Sequence, residues 1–155
     1  MILALDLGTH FGFAMIMSNY TDKSVVKSGS VKTNDTRYSG GGMRYLKFKQ
    51  WLTDQHFVHE FKEIYFEEVR AHNGTDAAHV YGGMLATLTA FCEEHSVPYQ
   101  GVPVGSIKKS ASGKGNCGKE VMVRLAQKQG MDSDDDNEAD AWHILQMRLK
   151  GELPA

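Results

Sequence analysis

Met1-Ile2-Leu3-Ala4-Leu5-Asp6-Leu7-Gly8-Thr9 opens the chain and decides how the rest is read. Ile2 to Leu5 are apolar at consecutive positions, whereas a strand covered on one side alternates apolar with polar. This one therefore reads as a central strand with a layer on each face. Its first charge is Asp6, followed by the turn residues Gly8-Thr9-His10. A carboxylate there is costly to bury unless something compensates it, and a cation would do so. Taken alone, Asp6 could equally emerge at the strand end and cap the Gly8 turn.

Outward from that strand, Phe11 to Met17 and Lys23 to Thr33, the latter with Val25, Val26 and Val31, continue as an antiparallel meander. Ser39-Gly40-Gly41-Gly42 breaks the pattern, and Tyr45, Leu46, Phe48, Trp51 and Leu52 recur at helical spacing. Glu63 to Val69 is a fourth strand that again ends in carboxylates, and Arg70 to Gly74 is a polar loop. Thr75 or Asp76 is placed to cap a long helix striped by Val80, Tyr81, Met84, Leu85, Leu88, Phe91 and Cys92. Gly82-Gly83 interrupts it, at a cost of about 1 kcal/mol per glycine, which close packing of the sheet or of a partner subunit would explain and plain tolerance would too. Val97 to Val102 is a fifth strand, Gly105 to Gly118 a basic connection, and Lys119 to Gln129 and Asp135 to Lys150 are helices. The layout is α/β: a five-stranded mixed sheet, three antiparallel strands and then two parallel additions, covered by helices. The order resembles that of the ribonuclease H-like fold.

At 155 residues the chain is long enough for one core and too short for two, so residues 1–155 form a single domain. Neither a signal peptide nor a bilayer-spanning run stands out, which predicts a cytoplasmic protein without a membrane partner. Cys92 and Cys117 lack disulfide density or zinc spacing. The net charge of -2 is not that of a typical nucleic-acid binder, but it conceals a division. Lys108, Lys109, Lys114, Lys119, Arg124 and Lys128 form a basic segment interrupted only by Glu120, and Asp132, Asp134, Asp135, Asp136, Glu138 and Asp140 follow at once. An enzyme acting on phosphodiesters needs both signs, cations for the backbone and carboxylates for a metal.

Two carboxylate-bearing strand ends paired side by side would repel without a metal, and alternation lets only one of Glu67 and Glu68 join Asp6. Ser133 with Asp136 is a capping pattern that accounts for the early acids of the last group. It does not account for Asp140, which stands between Ala139 and Ala141 in the apolar part of a helix. Asp136 and Asn137, four and three residues earlier, share its face. Hard oxygen donors in this number suit Mg²⁺ or Mn²⁺, and two such ions roughly 4 Å apart would support phosphodiester hydrolysis.

Leu3-Ala4-Leu5-Asp6-Leu7-Gly8-Thr9, Tyr65-Phe66-Glu67-Glu68-Val69 and Asn137-Glu138-Ala139-Asp140-Ala141 together resemble the RuvC family of Holliday junction resolvases, particularly its short phage-encoded members. The resemblance implies a magnesium-dependent endodeoxyribonuclease that cuts four-way junctions by paired nicks as a homodimer, with the long helix from Asp76 in the interface. It would act in the cytoplasm of a bacterial host. By motif position it designates Asp6, Glu67 and Asp140 as metal ligands. The family's fourth ligand falls on Asn137, a weaker neutral donor, so either its carbonyl coordinates or Asp136 substitutes. Lys108 and Lys119 occupy the places of family lysines that contact DNA, Lys119 also assisting catalysis. Lys109 and Lys114 belong to the same DNA-binding stretch. Arg70 stands where many bacterial members carry a junction-wedging aromatic, and is expected on the DNA surface.

Other readings compete. Gly113, Gly115, Gly118 and Lys119 approach a phosphate-binding loop, but Glu120 stands where Ser or Thr should hold Mg²⁺ and no long strand precedes. Asp6-Leu7-Gly8-Thr9 also resembles the first phosphate loop of the actin and sugar-kinase superfamily, which needs two such domains. A YqgF-like RNA-processing nuclease and a non-catalytic branched-DNA-binding protein are the nearer alternatives.

Overall fold

The computed structural model describes residues 1–17, 25–33 and 40–153. Strands β1 (Ile2–Asp6), β2 (His10–Ile16) and β3 (Lys27–Lys32) form the antiparallel meander. Helix α1 (Met43–His59), β4 (Glu63–Glu68), α2 (Thr75–Glu94), β5 (Tyr99–Pro103), α3 (Val104–Ser112), α4 (Lys119–Lys128) and α5 (Asp136–Leu149) follow. The sheet order is β3-β2-β1-β4-β5, with β4 parallel to β1 and β5 parallel to β4. The expected third strand loses its start, since Lys23 lies outside the described residues and Val25 is exposed.

Two apolar clusters sandwich the sheet, and strand alternation divides β1 and β4 between them. Leu3, Leu5, Ile64 and Phe66 face α1 and α2, packing with Phe48, Leu52, Met84, Leu88 and Phe91. Ile2, Ala4 and Tyr65 face the other way, onto Ile144, Leu145 and Met122 of α5 and α4. Period two then carries Asp6 and Glu67 to the α5 side. Helix α5 is enclosed: every residue from Glu138 to Met147 except Asp140 is buried. Within it, neutral His143 donates from Nε2 to the Met122 carbonyl at 2.8 Å, and burial holds its pKa below the usual histidine range.

Small residues set how closely the layers meet. A Cβ at Gly12 of β2 would lie 1.9 Å from the Asn137 carbonyl oxygen, so only glycine lets the first turn of α5 rest on the strand beside Asp6, whose cross-strand partner is Gly12. A Cβ at Gly83 would lie 2.4 Å from the Tyr45 ring, so this close approach is made by α1, whereas Gly82 faces open space.

Other expectations are corrected. Gly105 to Gly118 is not all connection, because α3 occupies Val104–Ser112. Its glycine, serines and single buried side chain, Ile107, gave no apolar stripe to read. Leu46, assigned to the covering face of α1, is 63% exposed. Thr75 and Asp76 do not cap α2, since Gly74 occupies that position without a side-chain bond. Nor do Ser133 and Asp136 frame α5: Asp135 is its cap, accepting from the Glu138 amide at 3.0 Å, while the Ser133 hydroxyl accepts from the Asp135 amide. No described helix is long and apolar enough to cross a membrane.

Candidate active site

The β1–β4 register runs from Ile2 opposite Glu63 to Leu5 opposite Phe66, so the next residues, Asp6 and Glu67, end adjacent strands side by side. Asp140 reaches the same place from α5. All three line one cavity of about 590 Å³ with Asp136, Asn137, Lys108 and Lys119. Glu68 points to the other face, where its carboxylate meets Arg70 at 3.4 Å, so alternation favours Glu67 as Asp6's companion.

Burial and mutual repulsion govern the electrostatics. Burial, then the Glu67 and Asp140 charges and a hydrogen bond to Glu67, raise the Asp6 pKa well above the ordinary carboxylate range. Glu67 is raised chiefly by its own burial, against the pull of Lys108 and Lys119. A hydrogen bond links the two carboxyl groups. Burial, Glu67 and Asp136 push Asp140 up to about 7. Asp136 behaves oppositely: its ion pair and hydrogen bond with the Lys119 ammonium lower its pKa and raise that of Lys119.

Three carboxyl groups are held together by the fold, each harder to ionise for its location despite Lys108 and Lys119 in the same cavity. The donor set fits a hard divalent cation. Among the described residues no group of three or more His, Cys, Asp or Glu side chains is arranged to hold a metal ion.

The structure brings Asp6, Glu67, Asp140, Asp136, Asn137, Lys108 and Lys119 together and leaves the other expected cations outside the cavity. Lys109 and Lys114 are exposed on α3 and the following turn, and Arg70 is exposed beside Glu68. The glycine-rich stretch before Lys119 follows α3 rather than a strand, unlike a phosphate-binding loop.

Sequence reasoning missed three contributors. Gly12 seats α5, and an isolated glycine within a strand is a legible sign of close backbone approach. Asp135 ties that helix to the sheet: its Oδ2 accepts from Ser30 Oγ at 3.0 Å and lies 3.4 Å from His10 Nε2, while Glu138 accepts from Ser28 at 2.6 Å. His72, in the loop after β4, lines the cavity and packs against Tyr81 at a centroid distance of 4.9 Å. Tyr81 in turn donates to the Glu67 carbonyl at 2.9 Å and accepts from the Val69 amide at 3.1 Å, fixing the strand end. Nothing in the loop's sequence marks His72.

No protein-family profile and no curated protein sequence matches the chain. Solved structures do. Thermus thermophilus RuvC in complex with Holliday junction substrate superposes with a TM-score of 0.77 at 17% identity, covering 97% of this chain and 93% of that one. RuvC of the same organism in a second structure gives 0.73 at 17% identity, with 97% and 95% covered. The yeast mitochondrial Holliday junction resolvase Ydc2 gives 0.61 at 14% identity, with 97% and 80% covered. Nearly the whole chain is thus shared at low identity, and the chain has the ribonuclease H-like fold in its RuvC-type arrangement.

Proposed function

We propose that this protein is a metal-dependent, structure-selective endonuclease that hydrolyses phosphodiester bonds in Holliday junctions and related branched DNA by paired nicks. The observation that carries this reading is the meeting of Asp6, Glu67 and Asp140 in one cavity whose wall also holds Lys108 and Lys119. Similarity in fold to junction resolvases, one of them bound to its junction, supports the choice of substrate.

Asp6, Glu67 and Asp140 would hold Mg²⁺, or Mn²⁺ in its place, as two ions per site. Bound there, the ions would activate the attacking water and stabilise the leaving oxygen. Lys119 engages Asp136, which leaves the Asn137 carbonyl to complete the donor set. Lys119 and Lys108 draw the scissile phosphate toward the carboxylates, and Lys109, Lys114 and Arg70 serve the flanking backbone from adjoining exposed positions.

Paired nicks require two sites, hence two copies. The exposed face of α2 through Gly82, Ala86 and Ala90 is the surface on which a second copy would dock. A bacterial cytoplasm would be the setting.

Incubation with labelled four-way junction, flap, linear duplex and RNA hybrid, in Mg²⁺, Mn²⁺ or EDTA, tests the reading. Symmetric metal-dependent nicks in the junction are expected. Tight binding without cleavage in either metal would leave a branched-DNA-binding protein, and preferential cutting of the hybrid an RNA-processing enzyme.

A further inference from the structure

The carboxylate cavity does not end at His72. That residue also walls a second cavity of about 460 Å³, which passes beneath the Gly8–Thr9 turn and reaches Arg44. Arg44, Asp76 and Val80 then belong to a third, of about 440 Å³, that opens beside His79 at the start of α2. The first two cavities share His72 in their walls and the last two share Arg44, Asp76 and Val80, so the three lie in succession from the carboxylates, past the β1–β2 turn, to the N-terminal turns of α1 and α2.

Its chemistry favours an anion with several oxygens. Arg44 is half-buried, and among the described residues it makes no hydrogen bond or ion pair, not even to Asp76 in the same groove. A guanidinium in that state retains all five donors. At the junction of the cavities, His72 Nε2 is shielded from solvent without a hydrogen-bond partner. His79 is exposed at the far end. Among the described residues lining the stretch from His72 to Arg44, Asp76 is the one acid, and it disfavours a free polyanion more than a strand whose charges are spaced along a backbone. On the opposite side of the site, Lys119 and Asp136 wall a further groove with Arg124. A strand drawn through the centre thus has a cation waiting on either side.

We infer that the groove from His72 to Arg44 is a second phosphate subsite, in which Arg44 binds a backbone phosphodiester of the cleaved strand beyond the scissile one. This inference rests on the endonuclease reading. Arg44 holds the strand's trajectory and His72 spans the distance between the two phosphates. Neither takes part in the bond-breaking step.

The test uses junctions with single neutral methylphosphonate linkages at successive positions on either side of the cut, bound by wild-type and Arg44→Ala protein in Ca²⁺. For Arg44→Ala, affinity is expected to fall roughly three- to tenfold, and the slope of log affinity against log salt to flatten by about 0.7–0.9. The cleavage rate at saturating junction in Mg²⁺ should stay within about twofold, because a contact made equally in the ground and transition states does not alter that rate. One methylphosphonate position should weaken the wild-type complex and leave the variant's unchanged, and Arg44→Lys should restore most of the salt slope. Equal slopes, or equal sensitivity to every methylphosphonate in both proteins, would overturn the subsite while leaving the nuclease intact. Wild-type protein that neither binds nor cuts branched DNA would overturn both readings.

Discussion

Asp6, Glu67 and Asp140 illustrate how a side chain's location can oppose its own ionisation. Asp6→Asn, Glu67→Gln and Asp140→Asn are each expected to reduce cleavage on the order of 10³-fold or more while sparing junction binding; gel shifts in EDTA and cleavage in Mg²⁺ separate the two effects. Full activity in any variant would reject that assignment. The same groups set a pH dependence in metal-free protein. Their folded-state pKa values lie above the unfolded ones, so their contribution to stability is present below the unfolded pKa and is lost as pH rises. For Asp140 the loss runs from about pH 4 to just above its value of about 7. Thermal melts in EDTA should therefore fall across this window. Asp140→Asn should melt about 2–8 °C higher than wild type at pH 8, the scale of one to two kcal/mol in a chain of this size. Adding Mg²⁺ should raise the wild type and leave the variant nearly unmoved. The triad was legible in the sequence because a carboxylate at the end of an apolar strand, or amid alanines in a helix, defies its surroundings. Which of Glu67 and Glu68 joins Asp6 followed from alternation once β1 and β4 were neighbours. His72 was not legible, since a histidine in a polar loop defies nothing.

Among the elements, α5 bears the site and Gly12 determines where it lies. Gly12→Ala is expected to shift the helix's first turn, lowering stability by about 1–3 kcal/mol. Cleavage should fall more than the loss of folded protein explains, as urea unfolding and single-turnover kinetics on the same samples would reveal. Asp135→Ala removes the helix cap together with its bonds to β3, and should cost roughly 1–2 kcal/mol by the same unfolding measurement. Strand β1, with its unbroken apolar run, and the helices α2 and α5 were read correctly from the sequence. Helix α3 was not, because Ile107 alone anchors it and its serines and glycine read as loop. The cap of α5 was misassigned among six acids within nine residues, where spacing alone cannot choose and contact with Ser30 does.

For the whole molecule, a near-neutral total hides an arrangement in which acids gather in the candidate site and cations flank it. Lys119→Ala is expected to weaken junction binding and to flatten its salt dependence by about one unit of slope. An unchanged slope would count against a phosphate contact there. Ala86→Arg, on the exposed face of α2, should yield monomers in sedimentation and uncouple the two nicks without unfolding the chain. The fold class was legible because three antiparallel strands followed by alternating helices and strands leave few layouts. The groove beyond His72 was not, because its walls come from the β1–β2 turn, the loop after β4, α1 and α2, and only the folded chain makes them neighbours.

The enclosure of α5 has a consequence for motion. A helix buried from Glu138 to Met147 on all but its Asp140 side cannot open on its own. Its amides from Ala141 to Leu145 should exchange with deuterium only when the entire domain unfolds, while those of α1 near Gly41 and Gly42 exchange through local fraying. A molecule built this way has no partly disassembled form of the candidate site: the third carboxylate is in place as long as the protein is folded, and departs only with the fold itself.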